Sequence, residues 1–484
     1  MPSHSLAFAK PKVQSLLFLT GSVWKGWGGR ISSQPHRRGI RSCLSPLCAF
    51  TTHVQDRMAK RIHARRLEGV DENIWVEFVS LADEYKTVNL GQGFPNFSPP
   101  SYLREAFSKA VTDEHTLLNQ YTRAFGHPPL VKALAQLFGP LFGQELNPLT
   151  NIMVSVGAYG ALFSTFQALV DKGDEVIIIE PFFDSYEPMT LMAGGRCVFV
   201  SLRPQKPADG GKPLNSGDWR LDLAELEAKI NKNTKMLVLN TPNNPLGKVF
   251  NKEELEEIAN ICVKYDLLCV SDEVYEWLVY DGNRHVRIAS LPGMWERTIT
   301  IGSAGKTFSA TGWKVGWAFG PDSLLKHLRT VHQNSVYHCA TGAQEAVAQG
   351  FQKELERLGK PECYFVQLRD DLQKKRDRLY RCLTEVGMKP VMSQGSYFMI
   401  ADISVFKSEV PPPTDPNVPY DHYFTKWMMK HKQLAAIPMS AFYSGPHKKQ
   451  FENYLRFCFV KEDATLEAAE KILQKWSRES SGRH

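Results

Sequence analysis

The amino-acid sequence predicts an α/β protein with two parts: a large domain whose mostly parallel sheet is flanked by helices, and a smaller α+β domain. Three observations lead to this prediction. Near-continuous apolar runs, typical of parallel strands buried on both faces, recur from about residue 150. Segments with helical periodicity and a charged outer face separate them. After about residue 350 the pattern changes to one long amphipathic helix and few strand-like runs.

In chain order, the large domain begins with strand-like runs that have helical segments between them. The segment 252–264 shows the helical type, because it combines a regular apolar stripe with a charged outer face. A helix is also expected to open at Gly157, directly after the first run. The predicted strands are 151–156, 175–179, 197–200, 236–239, 267–270 and 298–301.

The smaller domain is predicted from one helix and two later runs. The helix has an apolar face and ends near Gly387, and strand-like runs follow at 397–400 and 454–460. The segments 203–218 and 410–416 are rich in turn-forming residues and are expected to be loops. The apolar face of the helix consists of Phe365, Leu368, Leu372, Leu379 and Leu383.

Composition limits the possible functions. The chain has 484 residues, of which 43% are hydrophobic and 23% charged, as in ordinary globular proteins. Outside residues 1–55 it carries 51 basic and 51 acidic residues, so no nucleic-acid-binding surface is indicated. The nine cysteines show neither CxxC pairs nor zinc-ligand spacing, which favours a reduced compartment and predicts no metal site. No apolar run reaches membrane-spanning length.

The first 55 residues differ from the rest in charge. They contain seven Lys and Arg residues and no acid, and the first acidic residue is Asp56. A basic, Ser-rich, acid-free start is typical of a mitochondrial transit peptide, which predicts the mitochondrial matrix. Two alternatives remain open: a secretory signal, although the apolar run 16–19 is short, and a disordered, optional extension. Initiation at Met58 would give a cytoplasmic form.

Chemically useful residues follow four of the predicted strands. Asn244, Asp272 and Lys306 come shortly after the fourth, fifth and sixth strands, and a helix start at 157–159 follows the first. In open α/β sheets, ligands bind beyond the carboxyl ends of the strands. We therefore expect a carboxamide, a carboxylate, an amine and an anion-binding helix N-terminus at one edge of the sheet.

Lys306 is the most suggestive of these residues, and two interpretations of it remain open. It lies among small residues and hydroxyls after an apolar strand. There, burial and a nearby cation such as Lys314 would lower the pKa of the Lys306 amine and make it nucleophilic. Alternatively, it is a surface lysine in a Gly- and Ser-rich loop, and its local sequence does not decide between the two.

Several long strings extend this pattern into a family resemblance. They are NLGQGFP, LNQYTRAFGHPPL, EPFFDSYEPM, NTPNNPLGKVF, SDEVYEWLVYDG, GSAGKTFSATGWKVGW and RTVHQNSVYHC. From about Met58 to the C-terminus, the sequence resembles the fold type I pyridoxal-phosphate enzymes of the aspartate aminotransferase superfamily. Within that superfamily it is most similar to the kynurenine aminotransferases. The resemblance is specific because many long strings match in order, and it implies pyridoxal 5′-phosphate as cofactor.

The resemblance implies a role for each cofactor contact. Lys306 would bind the cofactor aldehyde covalently and move the α-proton of the substrate. Asp272, which is locally just as consistent with a helix N-cap, would pair with the pyridine nitrogen and keep it protonated. Lys314 would bind the phosphate where many relatives have Arg, so it would supply charge without a bidentate fork. The other implied contacts are Tyr275 and Asn244 to the 3′ oxygen, Phe183 to the ring (unless it is a core residue), Ala158, Tyr159 and Ser303 to the phosphate, and Tyr121.

Substrate contacts are implied in the same way. Arg456, inside an apolar strand, would bind the substrate α-carboxylate; the alternative is an internal ion pair. Gly93 would let the backbone approach that carboxylate, unless it only forms a tight turn. Asn244 would also contact the substrate. The implied side-chain pocket is aromatic and consists of Trp75, Tyr121, Tyr337 and His338, the last three from across a dimer interface; His338 could also be structural.

The resemblance implies a homodimeric aminotransferase that moves an amino group from kynurenine, glutamine or an aromatic amino acid to a 2-oxo acid. Kynurenine would yield kynurenic acid, and cysteine-S-conjugate β-lyase activity would accompany the transfer. Two rivals remain open: a dedicated carbon–sulfur lyase, and a non-catalytic binding protein with the same fold. No nucleic-acid or membrane partner is expected. The implied divisions are 1–57 as the transit peptide or disordered extension, 58–85 as an arm, 86–100 and 351–484 as the small domain, and 101–350 as the large domain.

Overall fold

The computed structural model describes residues 64–68, 70, 74–114, 116–205 and 213–481. The predicted transit segment and the middle of the predicted loop 203–218 lie outside these ranges. The described residues form one compact unit, and both sheets described below belong to it. The domain boundaries inferred from the sequence therefore stay predictions.

A seven-stranded sheet forms the centre of this unit. Its strands in chain order are β1 (Ile152–Val156), β2 (Glu175–Glu180), β3 (Arg196–Ser201), β4 (Thr234–Asn240), β5 (Leu268–Asp272), β6 (Thr298–Ser303) and β7 (Val315–Phe319). They are arranged in the order β1-β7-β6-β5-β4-β2-β3. The residues of β2 are all buried, as expected for a strand covered on both faces. The six strands predicted for this region are confirmed.

Strand β7 was not predicted from the sequence, and it changes the geometry of the sheet. It lies between β1 and β6 and runs antiparallel to both. The other neighbouring strands pair in parallel. Because β7 runs in the opposite direction, its first residues lie at the edge where β1 and β6 end. Lys314, directly before β7, is thereby brought to that edge.

Helices cover both the sheet and the C-terminal part. The predicted helix over 252–264 is confirmed, and Asn251 begins it with a capping box. The long amphipathic helix is confirmed as well, and it spans Tyr364–Glu385. The α-helices are Ile74–Glu84, Ser101–Thr112, Pro128–Phe142, Gly157–Leu169, Tyr186–Met192, Leu223–Ala228, Lys252–Lys264, Ala304–Thr307, Asp322–Ser335, Thr341–Glu356, Tyr364–Glu385, Tyr420–Lys432, Gly445–Phe451 and Asp463–Ser481.

A smaller antiparallel sheet follows in the C-terminal part. Its strands are β8 (Lys389–Pro390), β9 (Phe398–Asp402), β10 (Ile437–Pro438) and β11 (Tyr454–Cys458), arranged β8-β9-β11-β10. The short strand Val88–Asn89 pairs in parallel with Leu434–Ala435, so the chain near residue 90 is held against this C-terminal part. Within the described ranges, no helix combines the length and apolarity needed to cross a membrane.

Candidate active site

A cavity of about 380 Å³ lies at the edge of the large sheet where β4, β5 and β6 end. The N-terminus of helix Gly157–Leu169 and residues of β9 and β11 complete its wall. Twelve of the residues predicted from the sequence border it: Lys306, Asp272, Asn244, Tyr275, Phe183, Ala158, Tyr159, Ser303, Lys314, Arg456, Gly93 and Trp75. The fold thus brings together side chains that lie far apart in the sequence.

Lys306 faces this cavity from the short helix after β6. Its Nζ donates a hydrogen bond to the Gly93 carbonyl oxygen at 3.3 Å. The same nitrogen lies 5.2 Å from the Tyr397 ring centre and 5.4 Å from that of Tyr275. Burial lowers the pKa of the Lys306 amine to about 8, and the charge of Lys314 contributes least to this shift. Lys306 is therefore not a lysine of an exposed loop.

The lowered pKa of Lys306 predicts how fast the apo-protein captures an aldehyde. Only the unprotonated amine reacts, and at pH 7 roughly a tenth of an amine with a pKa near 8 is unprotonated. We expect the rate of covalent capture of pyridoxal to rise with pH and to level off above about 8. Lys314→Met should leave the midpoint nearly unchanged. A wild-type midpoint near 10 would contradict the assignment of burial as the main cause.

Asp272 is buried at the end of β5, with its carboxylate held on both sides. Tyr186 Oη donates to Asp272 Oδ2 at 2.6 Å, and the Val274 backbone N–H donates to Oδ1 at 3.3 Å. Burial raises the pKa of Asp272 to about 6, and the Tyr186 hydrogen bond opposes this shift. No helix begins after Asp272, so the helix N-cap interpretation is wrong. Sequence reasoning missed Tyr186.

Glu273 begins a second buried cluster behind Asp272. His285 Nε2 lies 2.7 Å from Glu273 Oε2, and Arg287 forms an ion pair with Glu276. Glu273, Glu276 and His285 are close enough together to ligate a metal. Arg287 lies within ion-pair distance of both carboxylates and so supplies positive charge to them.

Asn244 and Phe183 border the same cavity from neighbouring loops. Asn240 accepts a hydrogen bond from the Asn244 backbone N–H at 2.7 Å and donates to the Asp272 carbonyl oxygen at 2.9 Å. This buried amide, which sequence reasoning missed, links the ends of β4 and β5. The Phe183 ring meets the Tyr159 ring edge-on, with centroids 6.3 Å apart. Phe183 therefore forms cavity wall, although it also packs against the main core.

An anion-binding cradle lies at the start of helix Gly157–Leu169. Gly157 has a φ of +67°, which favours glycine, and it exposes the helix N-terminus to the cavity. Lys314 Nζ lies 5.7 Å from the Tyr159 ring centre, and Ser303 borders the cavity beside them. Backbone N–H groups, a cation and a hydroxyl therefore meet at one point, which suits a phosphate group.

Gly316 in β7 supports this cradle from behind, which the sequence did not indicate. A Cβ at Gly316 would lie 2.3 Å from the Ala158 backbone nitrogen and 2.3 Å from the Gly157 carbonyl carbon. We expect Gly316→Ala to weaken pyridoxal phosphate binding and to cost about 1–3 kcal/mol of stability, because backbone has to move. Gly312→Ala is the matched control, since a Cβ there meets nothing within 4 Å. Cofactor titration measures the affinity and thermal unfolding measures the stability. If Gly316→Ala and Gly312→Ala had the same affinity and stability, the close contact of Gly316 with the backbone of residues 157 and 158 would not be the cause.

Arg456 is buried in β11 and forms no ion pair among the described residues, although the charge of nearby Asp184 acts on it. Its Nη1 donates to Asn244 Oδ1 at 2.9 Å and its Nη2 to the Gly91 carbonyl oxygen at 2.8 Å. Its Nε has no hydrogen-bond partner among the described residues, and no carboxylate in the described ranges forms an ion pair with it. Burial lowers the pKa of Arg456 to about 10, so the guanidinium stays charged at neutral pH. The interpretation as an internal ion pair is wrong for the described chain.

Gly93 lies beside Arg456 for a reason other than a turn. A Cβ at Gly93 would lie 2.6 Å from Phe398, whose ring packs 4.0 Å from the Arg456 guanidinium. The close approach of Phe398 therefore requires glycine, and the carbonyl oxygen of Gly93 accepts the Lys306 hydrogen bond. Sequence reasoning found Gly93 but not Phe398.

Tyr121, Tyr337 and His338 do not border this cavity. They form a separate aromatic cluster, in which the Tyr121 ring centre lies 5.7 Å from that of Tyr337 and 4.9 Å from that of His338. Tyr121 is 78% exposed and Tyr337 48% exposed. The rings of Tyr121 and Tyr337 are therefore open to contact from outside this chain.

The sheet order, the half-buried Lys306 just after a strand end and the phosphate-type cradle together define a pyridoxal-phosphate enzyme of fold type I. The sequence model of the family "Aminotransferase class I and II" matches residues 85–472. The chain therefore belongs to the class I and II aminotransferase family. It is an enzyme, and the hypothesis of a non-catalytic binding protein is wrong.

Relatives cover nearly the whole described chain. Kynurenine–oxoglutarate transaminase 1 of Homo sapiens is 60% identical over 423 residues, which cover 87% of this chain and 100% of the relative. The corresponding enzyme of Rattus norvegicus is 61% identical over 420 residues, with 87% and 99% covered. The structure of an aspartate aminotransferase double mutant from Thermus thermophilus is similar with a TM-score of 0.71 at 30% identity, covering 87% of this chain and 100% of that chain. Bna3p of Saccharomyces cerevisiae matches with a TM-score of 0.80 at 33% identity, with the same coverage.

The cofactor of this family is pyridoxal 5′-phosphate, and the residues present fit it. The cradle suits the phosphate, buried Asp272 suits a protonated ring nitrogen, and Lys306 suits the aldehyde. When bound, the cofactor withdraws electrons from the substrate α-carbon, so that the α-proton becomes acidic. The protein side chains therefore have to hold the cofactor, orient the substrate and move the proton of the substrate α-carbon.

Proposed function

We propose that this aminotransferase takes its amino group from kynurenine, glutamine or an aromatic amino acid, and gives it to a 2-oxo acid. One observation carries the proposal most directly: buried Arg456 lacks a carboxylate partner and borders the same cavity as the Lys306 amine. An α-amino acid supplies a carboxylate for the one and an amino group beside the other. The names of the relatives from rat and human support kynurenine as one of the donors.

The wall of the cavity supports an aromatic substrate side chain. Six aromatic rings border it, and its charged lining residues are those assigned to the cofactor and the α-carboxylate. Aromatic walls favour flat, partly polar side chains such as that of kynurenine. The six aromatic lining residues are Trp75, Phe94, Tyr159, Phe183, Tyr275 and Phe398.

In this proposal each protein group has a defined task. Arg456 and Asn244 bind the α-carboxylate and fix the orientation of the α-carbon. Lys306 Nζ takes the α-proton as a base and returns it during the transfer. Asp272, held by Tyr186, keeps a positive charge on the cofactor ring.

A donor panel tests this proposal. Purified protein beginning at Met58 receives kynurenine, glutamine, phenylalanine, alanine or aspartate, with pyruvate, 2-oxoglutarate or phenylpyruvate as acceptor. We expect the first three donors to have the highest kcat/KM, and kynurenic acid to form from kynurenine. A clear preference for aspartate would overturn the aromatic assignment and leave the family assignment intact.

The same removal of the α-proton supports a β-lyase side activity. A substrate with a thiol leaving group on its β-carbon can eliminate that thiol, and hydrolysis of the remaining product releases pyruvate and ammonia. We therefore propose cysteine S-conjugates as additional substrates. Pyruvate release without added oxo acid measures this activity, and its absence with an active aminotransferase would remove the proposal.

We further propose a homodimer in which Tyr121, Tyr337 and His338 complete the site of the partner. Their exposed aromatic surface supports this, because large exposed rings favour burial in an interface. Mixing inactive Lys306→Ala with a Tyr121→Ala/Tyr337→Ala variant should restore activity, since one site of each mixed dimer would be intact. A monomer by sedimentation would overturn this assembly.

The N-terminal segment supports a proposal about location. Its basic, acid-free composition favours import into the mitochondrial matrix, and initiation at Met58 would give a cytoplasmic form. A fusion of residues 1–57 to a fluorescent protein should reach mitochondria. A fusion that stays cytoplasmic or enters the secretory pathway would overturn the matrix assignment.

A further inference from the structure

Trp75 in the cavity wall is held by a carboxylate that does not itself border the cavity. The indole Nε1 of Trp75 donates a hydrogen bond to Asp184 Oδ2 at 2.7 Å, although 109 residues separate them in the sequence. The Trp75 ring also meets the Phe442 ring edge-on, with centroids 6.5 Å apart. The indole is therefore fixed both by a hydrogen bond and by an aromatic contact.

The same indole is one side of an aromatic enclosure around Arg456. The guanidinium carbon lies 4.0 Å from the Phe398 ring centre, 4.9 Å from that of Phe442 and 5.0 Å from that of Trp75. Phe398 and Phe442 are fully buried, so they have little freedom to move. If Trp75 rotated away, Phe398 and Phe442 would still flank Arg456, but the cavity wall beside it, where a large substrate side chain packs, would open.

The surroundings of Asp184 are unfavourable for a charged carboxylate. Burial raises the pKa of Asp184, while the Trp75 hydrogen bond and the charge of Arg456 lower it. Its Oδ1 is buried and has no hydrogen-bond partner among the described residues. Asp184 as a whole is half-buried, but a buried oxygen without a hydrogen-bond partner is costly, so the contact to Trp75 calls for a reason beyond simple packing.

The chain around Asp184 directs three neighbouring side chains to three parts of the site. Phe183 borders the cavity, Asp184 holds Trp75, and Tyr186 donates to Asp272. This segment, Pro181–Tyr186, directly follows β2. The position of the Trp75 indole is therefore tied to the same piece of backbone that borders the cofactor region.

We propose that Asp184 is a positioning residue that sets the preference for large aromatic amino acids, by holding the Trp75 indole against Arg456 at the substrate end of the cavity. Asp184 does not touch the substrate; it acts through Trp75. The inference rests on the proposed function, because it takes Arg456 as the carboxylate-binding group and the adjoining space as the side-chain pocket.

A purely structural role would be to fasten helix Ile74–Glu84 to the rest of the protein. This helix has other ties: Glu77 forms a hydrogen bond with His422 at 2.9 Å and an ion pair with Lys426 at 2.5 Å. Glu77 is exposed, and none of these three residues borders the cavity. Glu77→Gln is therefore the matched control, because it loosens the same helix without changing the indole's hydrogen bond.

The experiment compares phenylalanine with alanine as donors for the holoenzyme, at a fixed oxo acid. For Asp184→Ala we expect KM for phenylalanine to rise about three- to tenfold, as for the loss of one buried hydrogen bond, with kcat and the alanine parameters within about twofold. Asp184→Asn keeps an acceptor oxygen for the indole and should retain most of the wild-type preference. Glu77→Gln should leave the preference unchanged.

A double-mutant cycle separates positioning from general damage. Trp75→Phe keeps a ring but loses the N–H, so Trp75→Phe/Asp184→Ala should be no worse than Trp75→Phe alone. Fully additive effects, or an equal loss of kcat/KM for both donors in Asp184→Ala, would overturn the inference. If the wild-type enzyme itself does not favour phenylalanine over alanine, the proposed function fails instead, and the two failures are distinguishable.

Discussion

Lys306→Ala is expected to reduce kcat for amino-group transfer by roughly 10⁴-fold or more, because it removes both the covalent attachment of the cofactor and the base that moves the α-proton. Lys306→Arg should be equally inactive, since a guanidinium keeps the charge but not a nucleophilic amine. Borohydride treatment should fix the cofactor to the Lys306 peptide in the wild-type enzyme and to neither variant. Steady-state kinetics and peptide mapping measure both effects.

Lys248→Met is the matched control for the loss of a buried lysine. Lys248 is fully buried and forms an ion pair with Glu254 at 2.8 Å, but it does not border the cavity. We expect this variant to unfold at a lower temperature and to keep kcat within about tenfold of wild type, because only structural interactions are lost. A Lys306→Ala enzyme that remained active would show that another group performs both tasks.

Arg456→Met is expected to lower kcat/KM for every amino acid by roughly 10³-fold, since truncating one partner of a buried charge pair costs about 2–5 kcal/mol. Most of the loss should fall on KM, because the α-carboxylate is present in the ground state and in the transition state alike. Arg456→Lys should recover part of the loss, since it restores the charge without the bidentate geometry. Competitive inhibitors that carry a carboxylate but no amino group should lose affinity for the Arg456→Met enzyme along with the amino acids.

Arg376→Met provides the corresponding control for a buried arginine. Arg376 is 2% exposed, forms ion pairs with Asp281 and Asp377, and lies 5.0 Å from the Tyr280 ring centre. It lies outside the cavity. We expect lower thermal stability with KM within about twofold of wild type. An unchanged KM in Arg456→Met would mean that the α-carboxylate binds elsewhere.

The strands of the large sheet were predictable where an apolar run was continuous and bounded by turn residues. β7 was not, because Gly316 interrupts its short apolar run and because its direction depends on pairing with β1 and β6. An antiparallel strand between parallel neighbours leaves no local trace in the sequence. The consequence for the site is large, since this strand brings Lys314 and Gly316 to the phosphate cradle.

The site residues also fall into two groups: those that a local sequence pattern predicts, and those that only the folded structure brings together. Asn244, Asp272 and Lys306 could be placed at one edge because they follow strands, which is a local pattern joined to a general rule of sheet geometry. Tyr186 and Asn240 were missed because their significance lies in contacts to Asp272 over 86 and 32 residues. Such contacts depend on register and on side-chain direction, which composition and periodicity do not record.

The segment Pro181–Tyr186 has a consequence for engineering. Its side chains reach the cofactor region, the substrate enclosure and the carboxylate of β5 from one short stretch of backbone. A loop transplanted from a homologue with different substrate preference would have to bring all three contacts in the same spacing. Insertion or deletion of a single residue here should impair cofactor retention and donor selectivity together, so directed evolution of this enzyme should vary side chains in this stretch and conserve its length.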